Sequence, residues 1–381
     1  MYDYSYYSSL HTLCQCLRTC NTGSNLNGIH ISCEVSAEYE PRHETYCRHR
    51  HNSGRSNLSR IEMTGSTVTG RIRRAATRMV FGEDGRPRAV YRATVAVLIG
   101  IVGLIVGDAA ATLLPIEGGE LKQAVQSVAS AVAVLSGLAV TAHYFDHRSL
   151  ADYGFKQTRG WVVNVIVGGF AGVTVVGVAF GVGMVARSFR VVEVAPVADV
   201  SSLLPALAVA MVSFVAVGVL EELVFRGAVL TNIAEGVAMR SINTTTALGS
   251  AWLVSSLIFG VIHGPLGYLP SGASRLGMLI VWTTAGGVFG IAYLLTGQLA
   301  LPIGLHIGVN WAANYVFLAT AEPAVVRVEF HSRALWHPIA GLPLLAGLGV
   351  AVGLIMGYVA WQRGSLRPHK SILQATEELN G

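Results

Sequence analysis

The sequence is poor in charge. Asp, Glu, Lys and Arg together make up 13% of its 381 residues, whereas hydrophobic residues make up 52%. An average soluble protein carries about 25% charged residues. So few charges cannot cover the surface of a soluble chain of this length. The shortage excludes a soluble multidomain protein and indicates an integral membrane protein.

Lysine and cysteine are also scarce over most of the chain. Arginine supplies nearly all of the positive charge, because the only lysines are Lys122, Lys156 and Lys370. No run of Lys and Arg resembles a nucleic-acid-binding arm, so we expect no nucleic-acid partner. All five cysteines lie within the first 47 residues: Cys14, Cys16, Cys20, Cys33 and Cys47. The apolar remainder therefore has no thiol nucleophile and no disulfide.

Residues 1–62 lack any apolar run or periodicity. They contain no hydrophobic core of a signal peptide. Their polar composition, rich in Tyr, Ser, Asn and His, predicts a disordered segment. Two alternatives are a true start at Met63 and a His/Cys metal module. Residues 63–90 follow as a basic segment that we place in the cytoplasm.

Eight apolar windows follow the basic segment. Each is long enough to cross about 30 Å of hydrocarbon as a helix. They lie at 91–114, 123–145, 161–185, 203–225, 245–264, 276–296, 299–321 and 338–361. These windows predict an all-α integral membrane protein, a bundle of about eight transmembrane helices, with residues 91–362 as the membrane domain.

Basic residues are distributed unevenly between the windows. Arginines crowd the approach to the first window, and Arg and Lys recur in the second linker and in the tail at 363–381. The first linker instead carries Glu117 and Glu120. Because basic loops stay on the cytoplasmic side, we predict a multi-pass protein of the cell membrane with both termini in the cytoplasm.

The fourth window carries charges inside an apolar stretch. It contains Glu221, Glu222 and Arg226, each of which costs about 2.5–3.5 kcal/mol at the centre of a bilayer. Glu222 and Arg226 are four residues apart and can pair on one helix face. Glu221 is rotated by about 100° from Glu222, which leaves it free to face a cavity as a general base. The alternative is a helix end with a snorkelling arginine.

Two histidines lie inside windows that carry no charge. His263 follows Phe259 by one helical turn in the fifth window, and His306 precedes Asn310 by one turn in the seventh. For either histidine alone, a hydrogen-bonded packing role is the alternative. Together with Glu221 and Asn310, the two histidines place a carboxylate, two imidazoles and an amide on three helices.

These residue types suit two mechanisms. In the first, Glu221 takes a proton from a water that His263 orients, while His306 and Asn310 stabilise a developing oxyanion. In the second, Glu221, His263 and His306 bind a divalent metal such as zinc, which activates the water. The sequence does not choose between them.

Three motifs in this order resemble those of the CPBP intramembrane protease family. That family includes the type II CAAX prenyl endopeptidases and proteins of bacteriocin immunity and abortive infection. Residues 221–226 resemble its EExxxR motif, residues 259–263 its FxxxH motif, and residues 306–310 its HxxxN motif. The resemblance covers about residues 200–320.

The resemblance implies hydrolysis of a peptide or membrane-protein substrate within the bilayer. Glu221 would be the general base and His263 would position the water. His306 and Asn310 would form the oxyanion site. The supporting residues would be Glu222, Arg226 and Phe259.

Two other functions are compatible with the same residues. A proton-coupled transporter would use Glu221 and His306 as a proton relay. A catalytically silent immunity or scaffold protein would keep the fold without activity. No HExxH motif occurs in the sequence, which argues against a zincin-type protease.

Overall fold

The computed structural model describes residues 77, 79–82, 85–116, 119–195, 200–240, 243–320, 322–331 and 334–372. The predictions for residues 1–62, for most of the basic segment and for the end of the tail lie outside the described residues. The predicted domain boundaries therefore stay predictions.

Nine α-helices make up most of the described chain. They are α1 Ala89–Leu113, α2 Gly119–Thr141, α3 Trp161–Val185, α4 Val200–Glu222, α5 Thr231–Ala238, α6 Thr244–His263, α7 Arg275–Thr296, α8 Ala300–Trp311 and α9 Leu342–Arg363. Three π-helical segments extend these helices: Ala142–Asp146, Leu223–Leu230 and Ala312–Phe317. Two 3-10 turns lie in the linkers, Leu150–Tyr153 and Ala334–Trp336.

The fold class is confirmed as an all-α membrane bundle. Seven helical stretches of the described chain are long and apolar enough to cross a bilayer, one of them running unbroken over Leu203–Ala238. The predicted window at 299–321 differs, because α8 has only 12 regular residues before the π-helical segment. All ten residues from Ala300 to Val309 are buried. This helix lies among α3, α4 and α7, so its apolar side chains meet protein on every side.

The outer helices place small residues inside and large ones outside. In α1, Ala96 and Gly103 are buried, whereas Leu98 and Ile105 are 53% and 63% exposed. Lipid tails are as apolar as leucine, so large side chains lose nothing by facing them. Small residues instead let the helix backbones approach closely.

A two-stranded antiparallel ribbon joins the far ends of α3 and α8. Its strands are β1 Phe189–Val194 and β2 Val326–Phe330, with Phe189 opposite Phe330 and an irregularity between Val191 and Glu193. The ribbon ties two sequence-distant linkers together. It lies at the end of the bundle away from the α7–α8 turn.

The close crossing of α3 and α8 fixes the position of α8, the helix that carries His306. Two pairs of glycines four residues apart face each other there, Gly168 and Gly172 on α3 and Gly304 and Gly308 on α8. A Cβ added to Gly304 would lie 2.0 Å from the carbonyl oxygen of Val165. Backbone atoms on both helices block any lateral shift, so the crossing admits only glycine.

We expect Gly304→Ala to lower the free energy of unfolding by about 1–3 kcal/mol, the usual cost of overpacking. Thermal unfolding in detergent measures this loss. Gly353→Ala in α9 is the matched control, because an added Cβ meets no atom within 4 Å there and alanine favours the helix. Equal melting temperatures for the two variants would contradict the close crossing.

Candidate active site

The long helix that carries Glu221 changes its winding directly after the paired glutamates. The α-helix α4 ends at Glu222, and the next eight residues form the π-helical segment Leu223–Leu230. Every residue of that segment is buried. Wider π-helical turns are rare and occur often at functional sites. Glu222 and Arg226 are in contact across this change of winding, while Glu221 faces His263.

Glu222 lies at the centre of a buried polar cluster. Its Oε1 accepts a hydrogen bond from Nη1 of Arg226 at 2.8 Å, and both side chains are 0% exposed. The same oxygen lies 2.9 Å from Nδ1 of His306. Because an ionised carboxylate only accepts hydrogen bonds, Nδ1 of His306 carries a proton. The predicted pair of Glu222 and Arg226 is present, and it also holds His306.

Arg226 is held by three aromatic rings and one carbonyl. Its Nη2 donates to the carbonyl of Gly286 at 3.1 Å. The guanidinium carbon lies 4.4 Å from the ring centre of Phe259, 5.1 Å from that of Phe289 and 5.9 Å from that of Phe225. Aromatic faces partly replace water around a buried cation. The cluster thereby joins α4, α6 and α7 around one charge.

Glu221 meets His263 on the other side of the same helix. Oε2 of Glu221 lies 3.1 Å from Nε2 of His263 and 3.8 Å from Nε2 of His306. Glu221 is 18% exposed and His263 25% exposed, whereas Glu222 and Arg226 have no exposed side-chain surface. Of the two adjacent carboxylates, only Glu221 is accessible from outside.

A hydrogen bond fixes one nitrogen of His263. Nδ1 of His263 lies 3.0 Å from the carbonyl of Phe259, and a carbonyl only accepts, so this nitrogen is protonated. Nε2 is thereby turned toward Oε2 of Glu221, 3.1 Å away. Oε2 itself is buried and accepts no hydrogen bond of good geometry. The exposed surface of Glu221 therefore lies on the rest of its side chain.

The ring of Phe259 orients His263. The two rings stack with centres 4.1 Å apart and planes at 26°. Phe259 is 0% exposed and also lies over Arg226. Phe259 thus links the buried ion pair to the accessible histidine, in agreement with its predicted supporting position.

The predicted residue Asn310 lies at the edge of this group. It is half-buried, one turn beyond His306, and its backbone carbonyl accepts a hydrogen bond from Asn314 at 2.8 Å. Its side-chain amide makes no hydrogen bond within the described part of the chain. The structure therefore brings Glu221, His263 and His306 into contact and leaves the amide of Asn310 free for a ligand.

Arg275 is a site residue that the motifs do not contain. Its Nη1 donates to the carbonyls of Pro265 at 2.8 Å and Gly267 at 3.2 Å and lies 3.5 Å from that of Gly264. These carbonyls follow His263 directly, where α6 ends. A cation suits the free carbonyls at a helix C-terminus. No residue pattern in the sequence pointed to this role of Arg275.

The predicted metal ligands share one carboxylate oxygen rather than surrounding an empty point. Among the residues that the structure describes, no group of three or more His, Cys, Asp and Glu side chains is arranged to hold a metal ion. Nδ1 of His306 is also engaged with Glu222. The divalent metal stays a prediction.

Part of the chain also matches a known protein family. Residues 203–312 match the family model described as type II CAAX prenyl endopeptidase Rce1-like, which confirms the resemblance seen in the motifs. The match includes Glu221, His263, His306 and Asn310. No solved structure matches the chain.

A curated relative has a different description. The Na(+)/H(+) antiporter NhaA 2 of Kineococcus radiotolerans is 31% identical over 84 residues, which are 22% of this chain and 18% of that protein. The chain therefore spans less than a fifth of the length of this relative.

Proposed function

Residues 203–312 carry a domain of the type II CAAX prenyl endopeptidase Rce1-like family, and we propose that this multi-pass membrane protein hydrolyses a peptide bond with Glu221 as general base. The observation that carries the proposal is the contact of an accessible Glu221 with His263 at 3.1 Å. Glu221 is followed by a second carboxylate, Glu222, that is buried and already paired with Arg226.

The proposed reaction begins with a water beside the accessible part of the Glu221 carboxylate. The carboxylate takes a proton from the water while the oxygen of the water attacks the carbonyl carbon of the peptide. The carbonyl oxygen becomes an oxyanion. Glu221 then gives the proton to the leaving nitrogen, and the C–N bond breaks. His263 holds Glu221 in place throughout, since its other nitrogen is fixed on Phe259.

The oxyanion needs hydrogen-bond donors close to this point. The amide of Asn310 is free to donate. His306 presents a different case, because its proton sits on Nδ1 toward Glu222. Its Nε2 is an acceptor in the neutral ring and donates only when the ring is protonated. We therefore assign stabilisation of the oxyanion to the amide of Asn310. His306 joins it as a donor when its ring is protonated.

An assay in proteoliposomes tests the proposal. An internally quenched peptide is supplied to the full-length protein, with and without exhaustive chelation. Cleavage that survives chelation supports the glutamate route. Cleavage that chelation removes and added zinc restores supports metal ligation by Glu221, His263 and His306. Absence of cleavage across a peptide library would contradict the endopeptidase assignment.

Arg275 gives a second test of the same site. We expect Arg275→Met to lower kcat by about 10- to 100-fold with little change in KM, because small displacements of a catalytic group have such effects. The amides of Gly264 and Leu266, which bond to the last turn of α6, should exchange hydrogen faster in this variant. Arg275→Lys should recover part of both losses. Wild-type turnover together with wild-type exchange would contradict a positioning role.

A proton-coupled transporter is the second candidate. The short similarity to a Na(+)/H(+) antiporter favours it, and so do the contacts of Glu221 with both histidines. A transporter needs a protonatable carboxylate inside the bundle, which Glu221 would also provide. Proton flux that depends on Glu221 would distinguish this candidate.

A further inference from the structure

One end of the helix bundle gathers the first and the last described helices. Arg363, at the end of α9, donates to the carbonyl of Leu295 near the end of α7. Arg92, near the start of α1, pairs with Glu235 of α5 at 2.9 Å. A cavity of about 560 Å³ joins these parts, because both Glu235 and Gly297, the residue after α7, line it. We call this end of the bundle the termini end.

The opposite end, which we call the ribbon end, holds the ribbon and the linker that follows His263. The ring centre of His337, just before α9, lies 4.8 Å from that of Phe330 in β2. Nε2 of His337 lies 3.2 Å from the carbonyl of Ser271 in the linker between α6 and α7. α6 therefore ends beside the ribbon. Because α6 has 20 residues, His263 lies about 30 Å from its start at Thr244, the thickness of the hydrocarbon core.

Buried side chains separate the site from the termini end. The cavity there reaches Leu230 and Thr231 of the long helix, and neither Glu221 nor His263 is among its described lining residues. The eight π-helical residues that end at Leu230 lie between the cavity and Glu221, and all of them are buried. They include Arg226, which is packed against three aromatic rings. A peptide from the termini end would have to displace this layer to reach Glu221.

Exposure of the site increases toward the ribbon end. His263 is partly exposed and is the last residue of α6. In α8, which runs from the α7–α8 turn toward the ribbon, residues 300–309 are buried. Asn310 is half-buried, and Asn314, one turn further, is exposed. The site therefore opens toward the ribbon end.

Basic residues are unequally distributed between the two ends. Arg and Lys occur in each described connection of the termini end: Arg86, Arg88 and Arg92 at α1, Arg148, Lys156 and Arg159 between α2 and α3, Arg240 after α5, and Arg363, Arg367 and Lys370 at and after the end of α9. The described basic residues of the ribbon end are Lys122, Arg187, Arg190, Arg275 and Arg327. Because connections rich in Arg and Lys stay in the cytoplasm, this distribution favours a cytoplasmic termini end.

The linker that follows His263 carries large exposed side chains beside the opening of the site. Leu266 is 75% exposed and Tyr268 is 84% exposed. Tyrosine is enriched where the bilayer meets water, because its ring is apolar and its hydroxyl is polar. These side chains suit an opening at the membrane surface.

We propose that the site takes its substrate from the non-cytoplasmic face of the membrane, as a peptide segment close to the bilayer surface. The nature of the substrate rests on the proposed peptide hydrolysis. The direction of the opening rests only on the packing around Glu221 and on the basic residues at the two ends. A peptide confined to the cytoplasm would not reach Glu221.

Labelling of single cysteines in the full-length protein tests the direction without proteolysis. The five natural cysteines are replaced by serine, and Tyr268→Cys, Asn310→Cys or Gln157→Cys is then introduced. Right-side-out membrane vesicles receive a charged thiol reagent before or after permeabilisation. We expect Tyr268→Cys and Asn310→Cys to react equally fast in both states. A charge in the bilayer costs at least about 2.5–3.5 kcal/mol, so Gln157→Cys should react about 100-fold more slowly before permeabilisation.

Gln157→Cys is the matched control, because Gln157 is an exposed residue at the termini end. The reverse pattern, with Gln157→Cys labelled in intact vesicles and Tyr268→Cys protected, would overturn the proposed orientation. Asn310→Cys that reacts only after permeabilisation, or in neither state, would overturn an opening at the ribbon end.

Cleavage by vesicles of both orientations tests the substrate. A polar quenched peptide that does not cross the bilayer is added outside right-side-out and inside-out vesicles, with Glu221→Gln vesicles as background. We expect cleavage by right-side-out vesicles, and by inside-out vesicles only after permeabilisation. Cleavage by intact inside-out vesicles alone would overturn the proposal. Absence of cleavage in every state would contradict the proposed hydrolysis, whereas the labelling pattern would still decide the direction of the opening.

Discussion

We expect Glu221→Gln to abolish the proposed peptide hydrolysis and to leave the fold intact. Glutamine has the shape of glutamate but cannot take a proton from water. General-base catalysis contributes about 10²- to 10⁴-fold to a rate, so we expect kcat to fall by at least that factor. The side chain is accessible and bears no ion pair with Arg226, so the melting temperature should change little. Cleavage of a quenched peptide, measured beside thermal unfolding, checks both expectations.

Asp108→Asn serves as the control for Glu221→Gln. Asp108 is another acidic residue of a predicted span, and Oδ1 has one long contact to Gln126 at 3.5 Å on an exposed surface. Its replacement should leave turnover near the wild-type value. If Glu221→Gln cleaves as fast as wild type, the general base lies elsewhere and the proposed mechanism is wrong.

We expect Arg226→Met to destabilise the protein strongly. Removal of one partner of a buried ion pair costs about 3–5 kcal/mol, because the other charge is left without compensation. Here the remaining charge would be Glu222, whose side chain is 0% exposed. The loss also removes the bond to the carbonyl of Gly286 and the contacts with Phe259 and Phe289. Unfolding monitored by tryptophan fluorescence in detergent measures the change.

Two comparisons isolate this effect. Arg190→Met breaks an ion pair with Glu329 whose side chains are 66% and 56% exposed, and exposed pairs contribute about 0–1 kcal/mol. The double variant Glu222→Gln with Arg226→Met should recover part of the stability, since no unpaired charge remains. If Arg226→Met is as stable as Arg190→Met, the pair does not hold the site together.

The sequence predicted how the paired glutamates divide their tasks. Spacing alone placed Glu222 and Arg226 on one face and turned Glu221 away from them, and the structure has this arrangement. The low charge of the membrane windows made the prediction possible, because each ionisable residue stood out. The approach of His263 and His306 to Glu221 was expected only from their chemistry, since helix packing is not encoded in local spacing.

Other features had no local signal. The bond from His306 to Glu222 joins residues 84 positions apart, and it changes the proton position on His306. Arg275 acts on backbone carbonyls, which no residue pattern reveals. The window at 299–321 is helical over Ala300–Trp311 and Ala312–Phe317, but the second part is π-helical and the first is enclosed by protein, which hydropathy alone does not reveal.

Parallel measurement of cleavage and proton flux in one set of proteoliposomes tests the central claim most directly. Wild-type protein and Glu221→Gln are reconstituted at equal density with an internally quenched peptide outside and a pH-sensitive dye inside. The proposed mechanism predicts peptide fragments that depend on Glu221 and a proton flux that does not. Proton flux lost in Glu221→Gln, with no fragments from wild type, would contradict it and favour the transporter.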